Sequence, residues 1–316
     1  MKNIFISFLI MLGLCALTAT TNAQTIDLTE TVDISGTQQV IRIKGNSDQQ
    51  PVLLFLNGGP GDSVTDQIDQ LFGELQKNFI VVLWDQRQTG QTAKINQTKA
   101  ALSQALFEQD TYQLIQYLLQ KFEREQLVLA AHSYGTSLGF AMAKNYPTLI
   151  QSFITINPMV HQVASEQMTL EMLKAQAKNR NDRKATEELS QVTIPFKTAQ
   201  DLYYARKWLF DFEGKGFAKK KAFKNRVFSW SATWLPLFNE ASQQNLFEST
   251  TRLGCPVLFI VGEKDFQTNT SLTQKYYDAL QAPQKKIQVI ENAGHLIPFE
   301  HNLLFQKIVI EYVSPG

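Results

Sequence analysis

Six short apolar runs do most to limit what this chain can fold into. They cover residues 52–56, 79–84, 127–131, 153–156, 257–261 and 287–290, and helix-length segments lie between most of them. The runs are nearly unbroken and rich in β-branched residues, so a strand built from one has no face to offer to water. Strands of that kind belong in a parallel sheet covered by helices on both sides. Ahead of them, residues 31–44 alternate loosely around Ser35-Gly36 and read as an antiparallel hairpin. Residues 110–122 carry apolar side chains at helical spacing behind an acidic N-cap at Asp110. Residues 298–313 open with a proline in the first turn and continue as an amphipathic helix.

A chain of 316 residues suits one large α/β domain or two ordinary ones. Between residues 159 and 250 the strand–helix alternation lapses into helical periodicities and aromatic clusters with no buried strand. This stretch is expected to be a helical cap inserted after the sixth strand. It would fold over the carboxyl edge of the sheet, where open parallel sheets bind their ligands. The expected core then comprises residues 24–158 and 251–316. A formal net charge of +1 gives no reason to expect nucleic acid or an acidic polymer as partner. Lys219, Lys220 and Lys221 read as a solvated helix face.

Residues 1–23 read as a secretory signal peptide. Lys2 precedes an apolar stretch over residues 4–17, too short to span a bilayer comfortably, and Thr21-Asn22-Ala23 offers a cleavage site before Gln24. The mature chain would then be periplasmic or secreted, with no stable membrane insertion. Of the two cysteines, Cys15 would leave with the signal and Cys255 would remain as a core thiol. A lipid on Cys15 is the rival reading, against which Leu14 argues because a small residue is wanted there.

The run at 127–131 breaks at His132-Ser133-Tyr134-Gly135 and gives way to a helix-like stretch. In a strand–turn–helix context, an approximate G-x-S-x-G match lifts a serine hydroxyl above the sheet edge. Here Ala131 stands in the place of the first glycine. Ser133 is either a nucleophile or a small polar residue closing a buried strand, and a base and an acid elsewhere must decide. Of the four histidines, His132 should point to the opposite face from Ser133, His161 opens the cap, and His301 lies on the last helix. His295 stands on a short glycine-bearing loop after a strand, a position suited to a base. Asp265, just past the run at 257–261, is the orienting acid, with Glu263 as competitor. The order Ser133, Asp265, His295 is that of α/β-hydrolases. In that arrangement the imidazole accepts the serine proton and the carboxylate stabilises the imidazolium. Oxyanion donors are expected at the N–H of Tyr134 and, from the loop "NGGPGDS", at the N–H of Gly59, with Asn57 and Gly58 shaping the loop. No metal or organic cofactor is implied, because the histidines lack metal-ligand spacing.

The stretches "LNGGPGDS", "WDQRQTGQT" and "HSYGTSLG" together resemble the signatures of the prolyl aminopeptidase (proline iminopeptidase) family and its tripeptidyl-aminopeptidase relatives, within the α/β-hydrolase fold. The likeness spans residues 51–158 and resumes over 256–298. It implies a serine peptidase that cleaves short peptides from their N-termini through an acyl-enzyme. Asn57, Gln88 and Thr92 depart from the family's histidine, glycine and serine. The family's W-x-x-W-E element in the cap has no glutamate here, so proline selectivity does not carry over. Asp85 and Arg87, ending a strand near the glycine loop, are expected to pair and brace it, with substrate contact as the alternative. If a free substrate amine is bound, a cap carboxylate must serve. Glu166, Glu171, Asp201, Asp211, Glu213 and Glu240 are candidates, with Glu240 favoured for its place after an aromatic segment. An esterase or amidase acting on small acyl substrates, and a non-catalytic binding protein, remain the competing classes.

Overall fold

The computed structural model describes residues 24–96 and 101–313. The expected signal peptide, with Cys15, lies outside the described residues. Among these residues no helix is long and apolar enough to cross a membrane.

The chain builds one eight-stranded sheet from β1 (Ile26–Ile34), β2 (Thr37–Gly45), β3 (Val52–Leu56), β4 (Ile80–Asp85), β5 (Leu127–His132), β6 (Ile150–Ile156), β7 (Val257–Gly262) and β8 (Lys285–Ile290). Their spatial order is β1-β2-β4-β3-β5-β6-β7-β8. The first two strands form the expected hairpin, and β2 runs antiparallel to β4; every other pairing is parallel. At the hairpin tip Ser35 and Gly36 both take positive φ, +49° and +71°, the two-residue turn whose twist matches its strands. The inner strands bury both faces. Leu54 and Leu56 enter one apolar cluster, while Leu53 and Phe55 of the same strand enter the other. The edge strand β8 begins two residues before its apolar run, at Lys285-Lys286, and such charged residues suit an unpaired edge.

Helices fill the connections: α1 (Ile68–Phe72) after β3, α2 (Gly90–Ile95) and α3 (Gln104–Lys121) after β4, and α4 (Gly135–Asn145) after β5. Between β6 and β7 come α5 (Gln162–Asn179), α6 (Arg183–Ser190), α7 (Ala199–Phe212), α8 (Lys221–Ser242) and α9 (Leu246–Ser249). Then follow α10 (Thr270–Ala279) after β7, and α11 (Ile297–Glu300) and α12 (Asn302–Val313) after β8. The insertion's helices have local causes. Thr198 and Asp201 exchange side-chain-to-backbone hydrogen bonds in a capping box that starts α7. Val227, Ser231, Trp234, Phe238 and Ala241 place a buried stripe along α8 at spacings of three and four. Lys219 pairs with Asp211 at 2.9 Å and lies over Trp208, so the lysine run spans the turn before α8 and the first residue of that helix.

Two expectations need correction. Asp110 is not an N-cap: α3 starts six residues earlier, behind Ser103, whose hydroxyl accepts from the Leu106 N–H at 3.2 Å. Asp110 lies instead on the buried stripe of that helix, fully enclosed. The final helix is two, because α11 ends at His301 before α12 begins.

Candidate active site

Ser133 sits at the top of β5 with φ +52°, a left-handed conformation that L-residues hold only when their surroundings impose it. Those surroundings are visible. The Ser133 N–H donates to the Ile156 carbonyl at the end of β6 (3.0 Å), and the Thr136 N–H and hydroxyl both donate to the Ser133 carbonyl (2.9 and 2.5 Å). At Gly135 a side chain would collide with the backbone of Leu56 and Asn57. Ala131 faces Gly139, where a Cβ would meet the Phe153 ring at 2.5 Å and stand 3.2 Å from the Ala131 Cβ.

His295 reaches this elbow from the loop after β8. Its Nε2 lies 2.8 Å from Ser133 Oγ, and its Nδ1 lies 2.8 Å from Asp265 Oδ2. An ionised carboxylate only accepts, so Nδ1 carries the proton and Nε2 is left to accept from the serine hydroxyl. Asp265 also accepts from the Gln267 N–H (2.8 Å), the Thr268 N–H (3.1 Å) and the Thr268 hydroxyl (2.7 Å). Burial pushes its pKa up, but the facing His295 and these donors outweigh burial and hold it at about 2. Glu263 is exposed and turned aside, accepting from the Asn292 N–H at 2.8 Å.

Asn157, just past β6, ties the three strand ends together and escaped the sequence reading. Its Nδ2 donates to the carbonyls of Gly294 (3.1 Å) and His295 (2.8 Å), while its Oδ1 accepts from the Gly262 N–H (2.9 Å). Its own carbonyl lies 3.0 Å from the Thr268 hydroxyl oxygen, whose proton is shared with the closer Asp265 carboxylate. A buried polar residue straight after an apolar strand is the signal that could have found it.

His132 does not point away from Ser133 as expected. The sharp turn at residue 133 ends the strand's alternation, and the His132 ring lies 5.1 Å from that of His295. Burial, and then the neighbouring His295, depress its pKa to about 3, so it is neutral. Its Nε2–H therefore donates to the His295 carbonyl at 2.8 Å. Of the other histidines, His161 stands just before α5 without a side-chain capping bond, and His301 stands just after α11.

The glycine loop lies over this elbow. A Cβ on Gly58 would stand 3.1 Å from Ser133 Cβ and 3.1 Å from His132 Nδ1. One on Gly59, at φ +114°, would meet only its own loop, at the N–H groups of Gly61 and Asp62. The loop thus makes its close approach at Gly58 and its turn at Gly59. The side chain of Asn57 is buried and lines the cavity above Ser133. The Tyr134 hydroxyl donates to Gln104 Oε1 at 3.2 Å, fixing the start of α4 to α3.

The expected Asp85–Arg87 pair does not form. Asp85 accepts from Ser63 Oγ (2.5 Å), Thr65 Oγ1 (3.0 Å) and the Gln91 N–H (2.7 Å), so it anchors the far end of the glycine loop alone. Arg87 faces the hairpin instead. It pairs with Asp110 through Nε and Nη2, and donates to the carbonyls of Ile34 and Ser35 at 3.1 Å each. Glu240 is likewise elsewhere: exposed, it accepts from the Gln104 N–H at 3.1 Å, at the positive end of the α3 dipole. Glu166 is buried in a two-pronged pair with Arg206 at 2.5 and 2.8 Å, and Asp201 serves the capping box. Glu171, Asp211 and Glu213 pair with nearby lysines.

Above Ser133 opens a cavity of about 300 Å³, walled by the glycine loop, the His295 loop and helices α7 and α8 of the insertion. Phe210, Phe223, Trp230, Phe238 and Phe299 make much of it apolar, and Gln162, Asp62 and Arg226 add polar groups that the sequence reading did not single out.

An elbow serine over the carboxyl edge of a mostly parallel sheet, with a helical insertion after β6, defines the α/β hydrolase class. The family described as alpha/beta hydrolase fold matches residues 51–302, and the chain belongs to it. A Bacillus subtilis (strain 168) protein named probable aminopeptidase YbaC is 26% identical over 307 residues, covering 89% of this chain and 95% of that protein. A Heyndrickxia coagulans protein named proline iminopeptidase is 23% identical, covering 85% of this chain and 92% of its own. The crystal structure of a Mycobacterium smegmatis proline iminopeptidase superposes with a TM-score of 0.65 at 16% identity, covering 91% of this chain and 98% of that one.

Proposed function

We propose that this protein is an exported serine hydrolase that removes N-terminal residues from short peptides through an acyl-enzyme. The observation that carries the reading is the line Ser133–His295–Asp265, 2.8 Å at both joints, opening on the cavity. In the proposed reaction Ser133 Oγ attacks the scissile carbonyl while His295 Nε2 takes its proton, and Asp265 stabilises the imidazolium. The N–H groups of Gly59 and Tyr134 receive the oxyanion. His295 then returns the proton to the leaving amine, and water releases the acyl group by the reverse route. The relatives named probable aminopeptidase and proline iminopeptidase support a peptide substrate.

The aromatic walls favour a second reading, an esterase or amidase for small apolar acyl groups. One panel separates them: free-amine aminoacyl p-nitroanilides, the same compounds N-acetylated, and p-nitrophenyl esters. The aminopeptidase reading expects the free-amine compounds to lead; equal turnover of free and blocked compounds, with esters fastest, leaves the esterase. Export rests on the apolar leader of residues 1–23. Intact mass of protein from its native host should place the mature N-terminus near Gln24, and a lipidated Cys15 would overturn that reading.

A further inference from the structure

The cavity over Ser133 holds one carboxylate that the catalytic geometry does not use. Among the described residues lining it, Asp62 is the only Asp or Glu. The candidate carboxylates of the insertion are all engaged elsewhere, whereas Asp62, on the glycine loop, makes no hydrogen bond and no ion pair among the described residues. Asp62 is itself exposed to solvent at the cavity; the surrounding protein mass still raises its pKa, and Arg226 pulls the other way from beyond ion-pair distance.

The backbone that leads to it is held. The Trp230 indole N–H donates to the Pro60 carbonyl at 2.7 Å, and Gly61 lies so close to the Trp234 ring that no side chain would fit between them. Two tryptophans of α8 therefore clamp the loop on the residues just before Asp62, four positions beyond the point where that loop abuts Ser133. Arg206, also in the wall, is already neutralised by Glu166. An ammonium entering such a cavity loses part of its hydration and needs an anion to meet it.

We infer that Asp62 anchors the free ammonium group of the substrate, from the glycine loop of the core and not from the helical insertion. The inference rests on the aminopeptidase reading. A carboxylate on a loop that is held by α8 and abuts the nucleophile limits the span between the ammonium and the scissile carbonyl, and so favours cutting close to the N-terminus. Arg226 repels an ammonium, so its loss should not weaken binding.

The test compares wild type, Asp62→Asn and Arg226→Ala on alanine p-nitroanilide, its N-acetyl derivative and p-nitrophenyl acetate. Asp62→Asn should raise KM and lower kcat/KM for the free-amine compound by about tenfold to a hundredfold, the scale of one charge-assisted hydrogen bond. It should leave the other two substrates and the thermal midpoint unchanged. Arg226→Ala should leave the KM of the free-amine compound unchanged or lower it. The inference is overturned if Asp62→Asn keeps the free-amine preference, if it harms all three substrates alike, or if Arg226→Ala matches its loss. In those cases the aminopeptidase reading survives on the wild-type preference. A wild type that treats free and blocked compounds alike defeats that reading first, and this inference with it.

Discussion

His132 Nε2 stands 2.8 Å from the carbonyl oxygen of His295, so the residue before the proposed nucleophile helps hold the loop that carries the proposed base. Only a neutral imidazole suits this site. Its ordinary pKa near 6.5 falls to about 3 in the fold, so the unfolded chain binds a proton that the native state refuses. Native stability is then undiminished above pH 6.5 and declines as pH falls toward 3, by up to ~1.4 kcal/mol per pH unit. Denaturant melts of wild type and His132→Gln between pH 7 and 4 test this. The variant should show the flatter profile, and identical slopes would refute the assignment.

Asp265 acts with the same sign in a lower window. Its pKa drops from an ordinary 3.8 to about 2, so its contribution is full above 3.8 and is lost as pH falls through 2. Asp265→Asn should erase that acid limb. It should also reduce kcat by about 10³–10⁴-fold, because the amide removes the stabilised imidazolium and the required tautomer. Glu263→Gln, on an exposed side chain, should change kcat less than about twofold. The opposite ranking in steady-state assays would assign the acid to Glu263.

Ser133→Ala should abolish acyl-enzyme formation, measured as a covalent mass adduct with an activated ester, while kcat falls by about 10⁴-fold or more. The hydroxyl's only hydrogen-bond partner among the described residues is His295, so the thermal midpoint should hold. An adduct on the variant would place the nucleophile elsewhere.

The two loop glycines should fail differently. Gly58→Ala puts a methyl 3.1 Å from Ser133 Cβ and His132 Nδ1, so activity should fall more than stability. Gly59→Ala is asked to hold φ +114°, a region L-residues avoid, and should lower the melting midpoint more than Gly58→Ala does. Paired kcat and melting measurements on both variants decide.

Arg87→Ala should destabilise by about 3–5 kcal/mol, because it leaves the Asp110 carboxylate buried without its cation. Chemical denaturation measures this, and a loss below about 1 kcal/mol would mean that water already reaches the pair.

What was legible in the sequence followed from short-range rules. Apolar runs have one economical home in a covered parallel sheet, and a serine, an acid and a histidine after three such runs fall at one edge of it. The failures concern where side chains turn after a strand ends. Asp85 and Arg87 are two apart and were read as partners, yet one faces the glycine loop and the other faces Asp110 across the hairpin. Asp110 itself resembled a helix start, since an acid on a buried stripe looks like a cap until its arginine, 23 residues away in sequence, is found. Glu240 was favoured for the substrate yet holds the Gln104 N–H for the same reason: the spacing of residues along α8 does not reveal which part of the core that helix covers.

The hydrogen bond from Trp230 to Pro60 bears on how such a chain can change its diet over its history. The helices between β6 and β7 look like a detachable module, open to replacement whenever a new substrate is wanted. Yet α8 fastens to the loop that abuts the nucleophile, and Gly61 has given up its side chain to make room for Trp234. A transplanted insertion lacking those two indoles would arrive with its own walls and leave the recipient's loop unheld. An exchanged insertion should therefore carry residues 57–63 with it, whereas single substitutions elsewhere in the wall leave both contacts in place.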